Sequence, residues 1–214
     1  MVYRDKFGFY LMNEVGVLMP RTIERSNNKQ RLSKAVWMEK TLEKIGEVGV
    51  ASIQVELLAR ELGVTKGSFY WHFKDKQELI REALVYWYDS ATRLISQAAK
   101  RNFDDPRDRL RYVYKLALNI RYDVPGGAVE RALQEWARIS TLATEITQRV
   151  DQERISFLAD AYIELGHSEL EARQTATLAL AQLTGINVLL RSQPNRDRSE
   201  YLRAIITQFI CQKN

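Results

Sequence analysis

The sequence predicts an all-α protein. Most of its 214 residues fall in long segments whose apolar side chains recur every three or four positions, which is the period of a helix. The four prolines and ten glycines lie mostly between these segments. Patterns that would predict strands are hard to find. The chain is long enough to bury a substantial core, in one large or two modest domains.

The predicted helices follow from this apolar spacing and from the residues at their ends. Asp75 is a candidate N-cap with Glu78 three residues later, which is the spacing of a capping box. Ser168 and Glu171 repeat that spacing before a later helix. Helices are predicted at 31–48, 54–62, 66–72, 75–100, 106–121, 128–140, 142–166, 168–192 and 198–211.

Residues 52–74 predict two short helices joined by a tight turn. Gly63 ends the first helix, because glycine adopts a positive φ without a Cβ clash. Thr65 follows as an N-cap whose hydroxyl can accept a hydrogen bond from a free backbone N–H. Small and basic residues open the second helix, and a dense aromatic run closes it. This order suits a helix that meets the backbone and base edges of DNA.

The segment GVTKGSFYWHFKDKQELI, at residues 63–80, resembles the DNA-binding signature of the tetracycline-repressor (TetR) family of bacterial transcription regulators. The resemblance is specific over roughly residues 30–80, and beyond them it rests on length and helical layout. It implies a three-helix helix-turn-helix domain followed by a helical domain for ligand binding and dimerisation. The expected divisions are a flexible N-terminal extension with a basic arm at 1–28, the DNA-binding domain at 29–75, and the C-terminal domain at 76–214.

The candidate contacts to base edges are Thr65, Lys66, Gly67 and Ser68. A lysine that donates to guanine O6 and N7 makes one of the commonest specific contacts, so Lys66 is the leading candidate. Gly67 would let the DNA approach the backbone closely. Each of these residues alone could also be solvated surface, and the prediction rests on the set.

Other residues of the segment are candidate contacts to the DNA backbone. The resemblance supports this role for Tyr70 and His72, although Tyr70 could also belong to the core. Trp71 is expected to lie along the wall of the groove rather than in a buried slot. Lys76, at the start of the next helix, can hold a phosphate through its charge and the helix dipole. Weaker phosphate candidates are Ser52 and Gln54.

The charge distribution is consistent with a nucleic-acid partner. The net charge is +5 and the pI is about 9.3, which permit an acidic partner without requiring one. A basic arm precedes the helix-turn-helix; such a run is usually a solvated terminus, but here it could follow a phosphate backbone or a minor groove. The leader before Met19 is expected to lack a fold of its own, with translation starting at Met19. The arm carries Glu24 as its one acid and Arg21, Arg25, Lys29, Arg31 and Lys34 as its bases.

The C-terminal half predicts two further sites. Aromatic and polar residues could line an effector cavity, although an aromatic stripe at helical spacing is more often ordinary core. The apolar face of the 168–192 helix could be monomer core too, but its length and place near the chain end predict a four-helix dimer interface. The cavity candidates are Trp87, Tyr88, Tyr112, Asn119, Tyr122, Trp136 and Phe157. The interface candidates are Ala176, Ala179, Leu180, Leu183, Ile186, Asn187, Leu190 and Ile206.

The sequence disfavours an enzyme, because its two histidines lack nearby partners and no phosphate loop, dinucleotide fingerprint or metal motif is present. We expect no catalytic residue, cofactor or metal. A single cysteine, Cys211, and the lack of a long apolar run fit a cytoplasmic protein without a membrane span, associated with the nucleoid when bound.

These observations predict a homodimeric, sequence-specific transcription regulator that binds a palindromic double-stranded operator. The simplest version is a repressor that a small-molecule effector releases. The alternative is a non-specific DNA-binding protein or a helical interaction protein that has no effector.

Overall fold

The computed structural model describes residues 10–12, 18–20, 32–118, 126–190 and 197–211. In these ranges the protein consists of helices and one pair of short strands, so the predicted all-α class is confirmed. A 3₁₀ turn at Val50–Ser52 and a π-helical turn at Asp89–Arg93 accompany the regular elements. The elements are β1 (Tyr10–Met12), β2 (Leu18–Pro20), α1 (Lys34–Val48), α2 (Val55–Glu61), α3 (Lys66–Tyr70), α4 (Lys76–Tyr88), α5 (Leu94–Asn102), α6 (Pro106–Leu118), α7 (Gly126–Trp136), α8 (Thr141–Glu164), α9 (Glu169–Leu189) and α10 (Ser199–Phe209).

The two strands were not predicted. β1 and β2 pair antiparallel, with Leu11 opposite Met19. Both lie in the N-terminal extension at 1–28, which was expected to be flexible and whose leader before Met19 was expected to have no fold of its own. Three residues are too few to show the alternation over four to eight positions by which a strand is recognised in a sequence. The basic arm, apart from Lys34, lies outside the described residues.

Local sequence signals predicted most helix ends correctly. Gly63 has φ +69°, and it ends α2 as expected. Asp75 Oδ1 accepts from the backbone N–H of Glu78 at 2.8 Å. Ser168 and Glu171 form a complete capping box. Thr65 occupies the N-cap position of α3, but its side chain accepts no hydrogen bond there, so the predicted role of its hydroxyl as a cap is wrong.

The helix predicted at 75–100 is not one regular α-helix. The π-helical turn at Asp89–Arg93 separates α4 from α5. A π turn inserts an extra residue per turn and changes which side chains share a face downstream. The apolar period on either side is helical, so the sequence pattern did not reveal this interruption.

The first of two compact units comprises residues 1–89 and 122–147. Here α1 packs against α4 and α7. Gly46 in α1 permits a close approach to α7, because a Cβ at that position would lie 2.9 Å from the Cβ of Ala128. α4 and α7 therefore belong to the unit that contains the helix-turn-helix, which differs from the boundary predicted between residues 75 and 76.

The second unit comprises residues 90–121 and 148–214. Its core is built from apolar side chains of α5, α6, α8, α9 and α10. At its centre the hydroxyls of Tyr114 and Tyr162, both buried, hydrogen-bond to each other. Arg109 is nearly buried and pairs with Glu164, with Nη1 donating to Oε1 at 2.9 Å. That ion pair joins α6 to α8.

Candidate nucleic-acid interface

The recognition helix α3 is anchored by aromatic side chains on its inner face. Phe69 is fully buried, and its ring lies 5.6 Å from that of Trp37 in an edge-to-face arrangement. Phe73, also buried, stacks on Phe69 with ring centroids 5.5 Å apart. These contacts set the orientation of a helix only five residues long, which could not persist alone in water.

The outer face of α3 carries most of the predicted DNA contacts. The exposed fractions of Tyr70 and Trp71 are 57% and 72%, so neither side chain belongs to the core. Lys66 and Gly67 are exposed in the first turn, and Ser68 is half-buried. Exposed aromatics this large are uncommon on a surface that meets only water, and their position beside basic residues suits a groove wall.

A cleft of about 370 Å³ joins this face to the neighbouring helices. Its lining comes from the start of α2, from α3 and from the start of α4. It therefore brings together Gln54, Lys66, Tyr70 and Lys76, which the sequence had nominated separately. The further lining residues are Ile53, Val55, Glu56, Phe69, Lys74 and Asp75.

Glu56 is a member of this surface that the sequence patterns did not predict. Its carboxylate accepts from Lys66 Nζ in an ion pair between α2 and α3, with both side chains at least half exposed. The hydrogen bond lowers the pKa of Glu56 and raises the pKa of Lys66, so both groups are charged at neutral pH. No spacing rule pairs residues ten positions apart on different helices, and the contact exists because the turn brings the two helix starts together.

Lys76 lies at the start of α4, in the position expected for a phosphate contact. Its side chain is exposed and makes no ion pair with any residue that the structure describes. The neighbouring N-cap Asp75 is occupied by the backbone N–H of Glu78. The ammonium group and the positive end of the helix dipole therefore face the same cleft.

Two other predicted contacts are engaged within the protein. His72 donates its Nε2–H to the carbonyl oxygen of Leu32 at 2.8 Å. Ser52 donates its hydroxyl proton to the carbonyl oxygen of Gly49 at 2.7 Å. A phosphate contact from either side chain would require it to give up this internal hydrogen bond. The contacts of Ser52 and His72 with DNA stay predictions.

The buried members of the predicted dimer set are engaged within the subunit, which contradicts their assignment to a partner, whereas the assignment of the half-buried members stays a prediction. Ala176 and Ala179 are fully buried and Leu183 is 4% exposed, all in the core of the second unit. Leu190 is also buried, and the half-buried Leu180, Ile186 and Ile206 pack against the same core. The Asn187 amide donates to the carbonyl oxygen of Ala117 at 2.9 Å. Helical period alone cannot tell a core face from an interface face.

The predicted effector residues do not gather in one unit. Trp87, Tyr88 and Trp136 belong to the first unit, whereas Tyr112 and Phe157 belong to the second. Trp87, Tyr88 and Phe157 are buried. Asn119 and Tyr122 lie outside the described residues. An effector cavity remains a prediction.

The residues that the structure describes contain no group of three or more His, Cys, Asp or Glu side chains arranged to hold a metal ion. Across the same ranges, no helix is long and apolar enough to cross a bilayer.

The sequence and the fold are similar to those of known regulators. Residues 38–83, from α1 to α4, match the model of the bacterial regulatory proteins of the tetR family. The HTH-type transcriptional regulator TtgR of Pseudomonas putida is 23% identical over 176 residues, which cover 77% of this chain and 82% of TtgR. AcrR of Shigella flexneri, also an HTH-type transcriptional regulator, is 40% identical over 45 residues, or 21% of each chain.

Two solved structures show the same fold. A transcriptional regulator from Rhodococcus sp. Rha1 superposes with a TM-score of 0.69 at 23% identity, covering 84% of this chain and 95% of that one. A transcriptional regulator from Saccharomonospora viridis, in complex with choline, gives a TM-score of 0.67 at 18% identity over 84% of this chain and 96% of that chain.

Proposed function

Because this chain belongs to the TetR family and is a helix-turn-helix transcriptional regulator, we propose that it is a repressor that a small-molecule effector releases from a palindromic operator. The observation that carries the proposal is the exposed surface around α3. There Lys66, Gly67, Tyr70, Trp71 and Lys76 face outward from a buried aromatic anchor. Candidate base-reading groups on α3 and a candidate phosphate contact on α4 thus lie on one surface, as docking of a helix in the major groove requires.

A homodimer would place two such helices in successive major grooves, roughly one helical turn apart. The exposed side of α9, opposite its buried side, is the surface we propose for the partner. It carries large apolar side chains that a monomer leaves in water, and a second copy related by a two-fold axis would cover them. These side chains are Leu170, Leu178, Val188 and Leu189.

A buried polar group without a partner supports the proposal that the protein binds an effector. Trp87 is 3% exposed, and its Nε1–H has no acceptor among the described residues. An unpaired buried donor costs about 1–3 kcal/mol, so a bound molecule with an acceptor would gain from meeting it. The effector would favour a dimer spacing that no longer fits the operator, and the coupling energy would equal its differential affinity for the two states. The site of action is the bacterial cytoplasm, where the operator lies.

The proposal is tested by selecting duplexes from a randomised library with the full chain. We expect an enriched palindrome with half-sites roughly one helical turn apart, bound far more tightly than a scrambled duplex of the same composition. A reporter gene under the selected site should be repressed when the protein is expressed. Equal binding of selected and scrambled duplexes would support the alternative of a non-specific DNA-binding protein.

The effector part is tested separately, with choline as the first probe because the S. viridis regulator was solved with it. An effector should stabilise the protein against heat, because it binds the folded state. It should also weaken operator binding, because it favours the dimer spacing that does not fit the operator. A panel of further small molecules is then tested in the same two assays. If none has both effects, release by an effector is contradicted, whereas the proposed operator binding is not.

A further inference from the structure

Glu56 places a negative charge on the surface that we propose binds DNA, which is itself a polyanion. It lies in the first turn of α2, at least half exposed, and it lines the same cleft as Lys66, Tyr70 and Lys76. A carboxylate at that position repels DNA phosphates. Its one described side-chain partner is Lys66, the residue best placed to reach a base edge.

The ion pair is a weak explanation for stability. Exposed ion pairs contribute little to folding, because solvent screens them and both side chains lose rotamer freedom. The two helices already pack against each other, and each buries apolar side chains, among them Leu58 on α2 and Phe69 on α3. The carboxylate therefore calls for a role in the complex with DNA.

The pair presents a donor and an acceptor side by side. Lys66 has three N–H donors, of which Glu56 takes one, and Glu56 keeps unused lone pairs on its carboxylate. In the major groove a G·C pair shows the acceptors N7 and O6 of guanine followed by the N4–H donor of cytosine. Two N–H groups of the lysine match the two acceptors, and a carboxylate oxygen matches the donor.

We propose that Glu56 and Lys66 act as one unit that reads a single G·C base pair in each operator half-site. The inference rests on the proposed sequence-specific DNA binding. In the complex, Glu56 limits the directions in which the Lys66 ammonium can point, so that lysine is held towards the groove floor rather than towards a phosphate. Glu56 is thus a specificity-determining residue.

The same pattern explains how the other base pairs would be rejected. A T·A pair offers one acceptor and one donor in matching order, but it has the thymine methyl group where G·C has guanine N7. The reversed pairs, C·G and A·T, place a donor or a lone acceptor where the lysine must bind. A base pair of adenine and thymine would therefore bind only some of the N–H donors of Lys66 and the carboxylate oxygens of Glu56. The remaining groups would lose their water without gaining a partner.

The test compares the sites that full-chain variants select from a randomised duplex library. Glu56→Ala and Lys66→Ala should relax the same base position, each lowering the preference for G·C over T·A there by about 10- to 100-fold. The double variant should discriminate no worse than either single variant, because the two residues act together. Glu43→Ala is the matched control: Glu43 is an exposed carboxylate on α1, paired with Lys40, and its loss changes the net charge equally. It should leave every base preference unchanged.

Circular dichroism should show that all variants keep the helical content of the wild type. The inference is overturned if Glu56→Ala selects the wild-type site, if it relaxes a different position from Lys66→Ala, or if it raises affinity for selected and scrambled duplexes equally, as a change in net charge would. Its failure is distinguishable from that of the proposed function. If the wild-type chain selects no sequence, the proposed sequence-specific DNA binding is contradicted. If the wild type selects a site and Glu56→Ala selects the same site, only this inference is contradicted.

Discussion

The described structure of the subunit gives no reason for a glycine at Gly67. A Cβ there would meet Thr65 Oγ1 at 3.6 Å, which is ordinary van der Waals contact. The position is exposed and helical, in the first turn of α3. Any need for glycine at this position must therefore come from outside the subunit.

Replacing Gly67 with Ala should stabilise the free protein and weaken operator binding. Alanine in a helix is favoured over glycine by about 0.5–1 kcal/mol, since glycine loses more backbone freedom on folding. The added methyl group would occupy space that the DNA needs. Thermal unfolding and DNA titration measure the two effects. Unchanged operator affinity would show that the DNA does not approach this part of the backbone.

Lys76→Ala should weaken binding to selected and scrambled duplexes by a similar factor. A phosphate contact carries no sequence information, and its loss removes about one released counterion, lowering the slope of log K against log salt by about 0.9. Titrations at several salt concentrations measure this slope. Lys115→Ala, an exposed lysine on α6 in the second unit, is the control for net charge. A loss confined to the selected site would instead make Lys76 a base contact.

At the scale of elements, the tyrosine pair between α6 and α8 gives the second unit a dependence on alkaline pH. Burial raises the pKa of Tyr162 from 10.0 to about 12, and burial also raises the pKa of Tyr114. In the unfolded chain both phenols ionise near pH 10. The pair therefore favours the folded state fully below pH 10, and that contribution is lost as the pH rises through about 12.

We expect the free energy of unfolding to fall between pH 10 and pH 12 more steeply in the wild type than in the Tyr114→Phe, Tyr162→Phe double variant. The double variant removes both titrating groups and leaves no buried hydroxyl unpaired, so it should remain folded. Equilibrium urea unfolding at several pH values measures the difference. Parallel curves for the two proteins would mean that these phenols ionise equally in the folded and unfolded states.

At the scale of the whole molecule, the two sides of α9 distinguish folding from assembly. Leu183 is 4% exposed and faces the core of its own subunit, whereas Leu178 is 62% exposed. Both are leucines on one helix, and the sequence pattern favoured Leu183 for the interface. The structure reverses that choice, because Leu183 is already covered.

Leu178→Glu should dissociate the dimer while the subunit stays folded. In a two-fold interface the new charge occurs twice, unpaired and desolvated. Leu183→Glu should instead unfold the second unit, since it buries an unpaired charge, at a cost of ~4 kcal/mol or more. Light scattering and circular dichroism separate the two results. A Leu178→Glu protein that stays dimeric would place the partner surface elsewhere.

Features that depend on neighbouring residues could be predicted from the order of the amino acids. The turn at Gly63 and the caps at Asp75 and Ser168 follow from contacts within a few positions. The helix-turn-helix signature lies in one contiguous segment for the same reason. Fold class and DNA binding could therefore be predicted from the order of the residues alone.

Features that depend on contacts between elements far apart in the sequence became apparent only in the folded chain. Helical period showed that α9 has an apolar face, but packing determined that Ala176, Ala179 and Leu183 serve the subunit's own core. Spacing nominated Lys66 for DNA, and only the approach of α2 to α3 revealed Glu56 as its partner. A sequence pattern indicates which side chains share a face, whereas the neighbouring element determines what that face contacts.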